Sequence, residues 1–403
     1  MLLGFKTQLR IRAPNLKVAL AKHAGTARHA WNWGLALTKN LLDYNQAHPD
    51  DKLKFPTAID LHVLLVKMVK SQHQWYYQVS KCAPQYALKQ LAQAWKQAFN
   101  KTKKPPRFKK KGQKDSFTID GAIECGHYWL KVPKLGKLKT YERMPSGFKP
   151  KSVTISRSAD RWFISFRSVV EPVSIQFVNG TVGVDLGVKT LATLSTGEVW
   201  QSPRSYRQYE KKLARLQWWH RRKDKGSNNW RKAQIKIARL HRRIANIRKN
   251  TWHQLTTYLA KNHSQIVIED LNVSGMLKNG KLAKAISDMG FYEFRRQLEY
   301  KCQLYGSKLL VVSRWMPSSK TCSGCGEKKE TLSLSERTFE CFKCGMRLDR
   351  DLNAAINLSY CGLGVSPSVA SGVAAAGSLP VSACGLDSAD TTRVKQEENV
   401  SNC

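Results

Sequence analysis

Val182-Gly183-Val184-Asp185-Leu186-Gly187 is the stretch on which the reading of this chain turns. Its apolar run marks a strand, and the strand ends on a carboxylate. Two further acids stand in comparable places. Glu269 closes Ile266-Val267-Ile268-Glu269, and Asp351 opens Asp351-Leu352-Asn353-Ala354-Ala355 at a helix start. A charge after such a run is costly to bury without a partner, whereas one acid at a helix start is an ordinary cap. Taken together, in the order strand, hairpin, strand, helix, they point to an RNase H-like sheet whose strand ends gather carboxylates. Such a set holds two divalent ions about 3.5–4 Å apart for phosphodiester hydrolysis. Hard oxygen ligands suit Mg²⁺ or Mn²⁺ and not zinc.

Outward from Asp185, residues 190–195 and 198–200 read as adjacent strands turning at Gly197. A helical stretch from about 203 to 262 follows, broken near Gly226-Ser227-Asn228-Asn229. Residues 201–250 hold seventeen Lys or Arg against Glu210 and Asp224. Leu213, Leu216, Ile235, Ile237, Leu240, Ile244 and Ile247 supply an apolar seam. The pattern predicts a basic helical hairpin with one packed face and one facing phosphates, Arg221, Arg222, Arg242 and Arg243 among the contacts. A strand at 265–269, a helix at about 291–304, a strand at 309–312 and a helix from Asp351 to Tyr360 complete this half. From 362 to 403 the composition predicts a mostly disordered tail.

The most specific local signal is Cys322-Ser323-Gly324-Cys325 with Cys341-Phe342-Lys343-Cys344, fifteen residues apart. Each pair is followed by a glycine, Gly326 or Gly345, suited to a tight knuckle. Four thiolates at this spacing match a closed, structural Zn²⁺ site.

The N-terminal half reads differently. Residues 5–12 alternate as a strand with one basic face, and Pro14 stops it. From 15 to 100 the period is helical. Leu16 to His23 start one helix, Trp31 to Leu42 the next, Leu61 to Met68 a third and Gln85 to Phe99 a fourth. The run Lys101–Lys114 is basic, with Lys109, Lys110 and Lys111 as phosphate contacts. Short strands at 116–119, 128–132, 152–156 and 162–166 join strand 5–12 in a small β-barrel interrupted by the helices.

A net charge of +39 on 403 residues exceeds what solubility requires and implies a polyanionic partner. No apolar stretch approaches the roughly 20 residues of a membrane span, and the start carries no secretory signal. Nucleic acid is therefore the expected partner and membrane is not. The paired cysteines favour metal binding in a reducing cytoplasm. No phosphate-cradling loop supports ATP dependence.

The segments Gly183-Val184-Asp185-Leu186-Gly187, Ile268-Glu269-Asp270-Leu271-Asn272, Pro317-Ser318-Ser319-Lys320-Thr321-Cys322-Ser323-Gly324-Cys325-Gly326 and Asp349-Arg350-Asp351-Leu352-Asn353-Ala354-Ala355-Ile356-Asn357 together resemble TnpB. This family is encoded by bacterial and archaeal insertion sequences and is related to the type V CRISPR effectors. The resemblance runs nearly to residue 360. It implies an α+β multidomain protein: a wedge-type β-barrel (1–14 and 115–177), a helical recognition domain with basic linker (15–114), a RuvC nuclease domain (178–316 and 346–361) and a zinc-ribbon insertion (317–345) that binds target nucleic acid. It implies an RNA-guided DNA endonuclease of a transposable element, with a guide RNA and target double-stranded DNA as partners. One protein chain per guide RNA, associated with the prokaryotic nucleoid, is the expected assembly. Catalytic positions carry over to Asp185, Glu269 and Asp351, with Asp349 as the second-choice ligand, and zinc positions to the four cysteines. Lys81 and Gln85, one turn apart, carry over as readers of a short motif beside the target. The alternatives are a nuclease-inactive RNA-guided repressor, which would normally lack one acid, a transposase or recombinase accessory protein, and an RNA-associated structural protein.

Overall fold

The structure is a computed structural model describing residues 1–145, 150–333 and 335–365. The chain forms two compact units, one spanning 2–169 and the other beginning at 170. No helix among the described residues is long and apolar enough to cross a membrane.

In the first unit, β1 (Leu2–Gln8) is followed by α1 (Pro14–Ala47), α2 (Ala58–Leu65) and α3 (Cys82–Phe99). The two helices expected across 16–42 are one helix of 34 residues. Gly34 does not break it because α3 crosses there: a Cβ on Gly34 would lie 2.8 Å from Leu88 Cδ2. The missing side chain is what lets the two helices approach. The helix expected from Gln85 begins earlier, at Cys82, with Pro84 in the first turn, where a missing N–H costs no hydrogen bond. The strands are β2 (Ser116–Asp120), β3 (Glu124–Gly126), β4 (Trp129–Val132), β5 (Gly136–Lys139), β6 (Ser152–Ser158) and β7 (Arg161–Val169). They form a four-stranded sheet ordered β1-β7-β6-β2 and a three-stranded meander β3-β4-β5. The strand expected over 5–12 ends at Gln8, since Leu9 bridges Thr140 and the Arg10 N–H donates to the Lys139 carbonyl. The chain thus passes from one sheet to the other. Phe5, Phe117, Ile155 and Ile164 from the sheet share one core with Leu130 and Leu138 of the meander and Leu20, Leu35, Leu88 and Leu91 of the helices.

In the second unit, β8 (Asn179–Asp185), β9 (Ala192–Leu194) and β10 (Val199–Trp200) make an antiparallel meander. Helices α4 (Ser205–Arg221) and α5 (Asn228–Asn262) follow as a hairpin packed along Leu213, Leu240 and Ile244. Arg204 at the start of α4 offers no capping side chain, and Asp288 substitutes from a distance, accepting from Ser205 Oγ and the Tyr206 N–H at 2.9 Å each. Then come β11 (His263–Glu269), α6 (Val273–Met276), α7 (Ala283–Met289), α8 (Phe291–Tyr305), β12 (Lys308–Val312), β13 (Thr338–Glu340), β14 (Arg347–Asp349) and α9 (Arg350–Leu363). The main sheet is ordered β10-β9-β8-β11-β12, with β11 parallel to both β8 and β12. Residues 362 and 363, expected in the tail, belong to α9, which runs to Leu363 and closes at Gly364 in the left-handed region. The rest of that expectation, 366–403, lies outside the described residues.

Candidate metal centre and thiol cluster

Strand geometry decides where the acids point. The parallel register pairs Val184 with Ile268, so Asp185 and Glu269 follow side by side at the C-terminal ends of β8 and β11. Side chains alternate with period two, so Gly183 and Asp185 share a face, as do Val267 and Glu269. Helix α9 lies on that face. A Cβ on Gly183 would fall 2.0 Å from the Ala355 carbonyl oxygen and 2.6 Å from the Ser359 nitrogen. One on Gly362 would fall 2.5 Å from Val267 Cγ2. Gly183 thus lets the helix backbone touch the strand backbone, and Gly362 lets the helix backbone rest on strand side chains. Asp351 lies one helical turn, about 6 Å, before Ala355. Asp185 lies two strand residues, about 6.6 Å, beyond Gly183. The two offsets match, which brings Asp351 to the same end of the sheet as Asp185 and Glu269.

The electrostatics agree. Asp185 is half-buried, and its carboxyl is pushed up to about 7 by burial first and then by Asp351 and Glu269, with a partial offset from Arg350. Burial and Asp270 raise Glu269, against Arg314. Neither carboxylate accepts a hydrogen bond among the described residues, so both keep lone pairs for a cation. Asp351 is flanked by Thr190, whose Oγ1 donates to its Oδ2 at 3.4 Å, and by the Arg350 guanidinium at 3.4 Å. Two neighbouring acids are otherwise engaged. Asp349 caps α9, accepting from the N–H groups of Asp351 and Leu352 at 2.9 and 3.0 Å. Asp270 is held between Arg295 and Arg314, with Arg314 the first of the two to hold its carboxyl below the usual range. The carboxylate set of hard oxygens fits Mg²⁺ or Mn²⁺. It is not drawn into a closed cage: among the described residues, the one group of three or more His, Cys, Asp or Glu grouped as a metal site is the four cysteines.

Those four sulfurs lie within 4.8 Å of one another. Cys322 and Cys344 are 3.6 Å apart, and Cys325 and Cys341 are 3.5 Å apart. Tetrahedral zinc with Zn–S bonds of about 2.3 Å spaces sulfurs by about 3.8 Å, so the thiols fit that ion. Both knuckles close alike: the N–H of Gly326 donates to the Cys322 carbonyl and that of Gly345 to the Cys341 carbonyl, at 2.9 and 3.0 Å. Both glycines have positive φ, +78° and +71°. Burial pushes Cys322 up to about 12. At Cys341 burial is outweighed by the N–H groups of Cys344 and Lys343, and the thiol falls to about 7.

Helix α9 also carries the clamp on this cluster, a role that no expectation from the residues included. Asn353 and Asn357, both fully buried and one turn apart, reach the loop before the first knuckle. Asn353 accepts from the Ser323 N–H at 2.9 Å and donates to the Thr321 carbonyl at 2.7 Å. Asn357 donates to the Ser318 and Thr321 carbonyls at 2.8 and 2.7 Å. The signal that could have found them is two amides spaced i, i+4 in an otherwise apolar helix. Asn353→Ala should cost about 1–3 kcal/mol by leaving the buried Ser323 N–H unpaired, while the Thr321 carbonyl keeps its bond from Asn357. It should also speed zinc loss to a chromogenic chelator; an unchanged release rate would mean the clamp does not secure the knuckle.

The remaining expected contacts scatter. Lys81 and Gln85 are both exposed, and the Gln85 N–H donates to the Lys81 carbonyl, so they do sit one turn apart. Lys109 differs from its basic neighbours: its ammonium lies 3.8 Å from the Trp31 ring centroid, and burial pulls it down to about 8. It packs a core edge, whereas Lys110 and Lys111 are exposed. Arg221, Arg222 and Arg243 are exposed and Arg242 is half-buried. Arg222 covers Trp218 and Arg243 covers Tyr209.

Residues 171–280 match the family described as "Probable transposase" (OrfB of IS605), and 291–358 match the "Cas12f1-like, TNB domain". Residues 1–46 match a "Helix-turn-helix domain", although here they fold as β1 and the single helix α1. The chain is 40% identical over 295 residues to a "Putative RNA-guided DNA endonuclease" of Streptomyces pristinaespiralis, covering 72% of this chain and 73% of that one. It is 35% identical to "Putative RNA-guided DNA endonuclease InsQ" of Escherichia coli (strain K12), covering 89% and 92%. Its fold is similar to the protein in a cryo-EM structure of a Cas12f1-sgRNA-target DNA complex, with a TM-score of 0.53, 16% identity, and coverage of 87% and 83%. The chain belongs to the TnpB family of IS605-type insertion-sequence proteins.

Proposed function

We propose that this chain is an RNA-guided DNA endonuclease that hydrolyses phosphodiester bonds in double-stranded DNA beside a short flanking motif. The observation that carries this reading is the convergence of Asp185, Glu269 and Asp351 on the α9 face at one end of the sheet, in a chain of this family. Its strand order and the helix across β8 support an RNase H-like, RuvC-type assignment for 178–316 and 346–361. The thiol cluster supports a structural Zn²⁺ in 317–345. The two sheets of the first unit support a wedge-type barrel, with 15–114 as the recognition domain.

In this reading Asp185, Glu269 and Asp351 would supply the negative charge that holds catalytic Mg²⁺ or Mn²⁺. Thr190 and Arg350 fix the orientation of Asp351. When bound, the ions lower the pKa of the attacking water and stabilise charge on the leaving 3′ oxygen. Burial around Asp185 lowers the local dielectric and strengthens each of these interactions. Lys110, Lys111, Arg221, Arg222, Arg242 and Arg243 neutralise phosphates of guide RNA and target DNA. Lys81 and Gln85 read the flanking motif. One chain per guide RNA, in a prokaryotic cytoplasm, completes the proposal.

The test is direct. The chain is purified with RNA expressed from its own locus and given a plasmid that matches the RNA. Cutting with Mg²⁺ and none with EDTA is the expected result. A preparation whose RNA has no common scaffold, or cutting that is insensitive to EDTA, would overturn the reading.

A further inference from the structure

Trp218 and Trp219 lie near the C-terminal end of α4, 47% and 50% exposed. They pack edge to face, with centroids 5.4 Å apart and planes at 83°. Trp218 is already covered, since the Arg222 guanidinium sits 3.4 Å from its ring centroid. Trp219 is not covered in this way; the Lys223 ammonium over it is 6.0 Å from the centroid. Trp219 walls a cavity of about 500 Å³ between α4 and α5, lined also by Lys212, Arg215, Lys223, Lys232 and Lys236. No acid lines it, and none of the five cations is held in an ion pair among the described residues.

Two features narrow the occupant. Five uncompensated cations repel one another and call for an anion, and phosphates supply one charge per nucleotide. An indole face inside that basic groove is matched by a nucleobase, which stacks on aromatic rings. A paired base inside a duplex hides both faces in the stack; an unpaired one offers a face. A protein partner would bring mixed charges and leave most of the five cations unmatched.

We infer that this cavity binds an unpaired nucleotide, with its base stacked on Trp219 and its flanking phosphates neutralised by Lys212, Arg215, Lys232 and Lys236. The inference rests on the nucleic-acid reading above and adds to it a single-strand subsite on the α4–α5 hairpin. Neither Trp219 nor these cations belong to the carboxylate site.

The test uses the full-length chain without divalent cation, so a failure to bind is read separately from a failure to cut. Probes are short single-stranded RNA and DNA oligonucleotides, the same strands with one abasic position, and a blunt duplex. Trp219→Ala should weaken single-strand binding about five- to tenfold, and Trp219→Phe should restore most of it. The abasic strand should bind wild type more weakly but weaken no further with Trp219→Ala. Blunt-duplex binding should change less than about twofold. Lys212→Ala with Lys236→Ala should lower the salt slope by roughly 0.7 for each phosphate no longer neutralised. A loss confined to RNA assigns the subsite to the guide, and one confined to DNA assigns it to a displaced strand; either supports the inference. Equal losses on single strands and blunt duplex, no loss with Trp219→Ala, or an unchanged salt slope would overturn it.

Discussion

Asp185→Ala should bind target as wild type does and cut it at least about a thousandfold more slowly, since several kcal/mol of transition-state stabilisation pass through the site it anchors. Binding is measured by gel shift and cutting by plasmid linearisation. A variant that cuts at the wild-type rate would remove Asp185 from the reaction. A companion expectation concerns stability. The folded carboxyl of Asp185 is raised to about 7 from an ordinary value of 3.8. For an acid raised on folding, the proton is bound more tightly in the folded state, so its contribution is fully present below the ordinary value. That contribution is lost as pH climbs through the window up to about 7. Metal-free protein therefore carries an ionised, crowded carboxylate at pH 8. Asp185→Asn should raise metal-free stability there by roughly 1–4 kcal/mol while abolishing cutting. The gain should shrink towards pH 4. A variant less stable than wild type at pH 8 would mean that the acids do not repel one another.

Gly183→Ala should be the most damaging small substitution in the second unit. The added methyl would meet the Ala355 carbonyl at 2.0 Å and the Ser359 nitrogen at 2.6 Å, both backbone atoms that no rotamer change can move. α9 must lift from β8, and Asp351 with it. The expected cost is about 3 kcal/mol or more, read by urea unfolding. Cutting should fall further than stability alone explains, because Asp351 leaves its place beside Asp185. Gly180→Ala is the control, on the same strand with nothing within 4 Å of the added carbon. Equal stability of the two variants would show that the helix does not bear on the strand there.

Much of the site is legible in the residues because its parts lie in regular elements. The run Ile266-Val267-Ile268 can only be a buried strand, so the acid after it must be exposed at an edge or held for a purpose. The CxxC pairs constrain themselves, since four thiols in two glycine-closed knuckles leave little other than a metal to gather them. The α4–α5 hairpin shows in its apolar seam and one-signed charge. Other features are not written locally. Whether Glu269 or Asp270 faces the site depends on strand register, which sends Asp270 to Arg295 and Arg314, partners 25 and 44 residues away. Lys109 reads as one of a basic run, and only its packing on Trp31 sets it apart. The continuity of α1 through Gly34 depends on where α3 crosses.

Three carboxylates at the ends or starts of regular elements, four thiols in one cluster and an overwhelmingly cationic surface are all written in the order of the residues. They follow from periodicity, spacing and composition, which act over a few residues at a time. Folding in three dimensions was needed to bring Asp351 to Asp185 and Glu269, to tie the same helix to the first cysteine knuckle through two buried asparagines, and to open Trp219 into a basic cavity. Those outcomes depend on α9 approaching the sheet closely at Gly183 and Gly362 and on two helices pairing along one seam. Such approaches join residues far apart in the chain, and no local pattern encodes them.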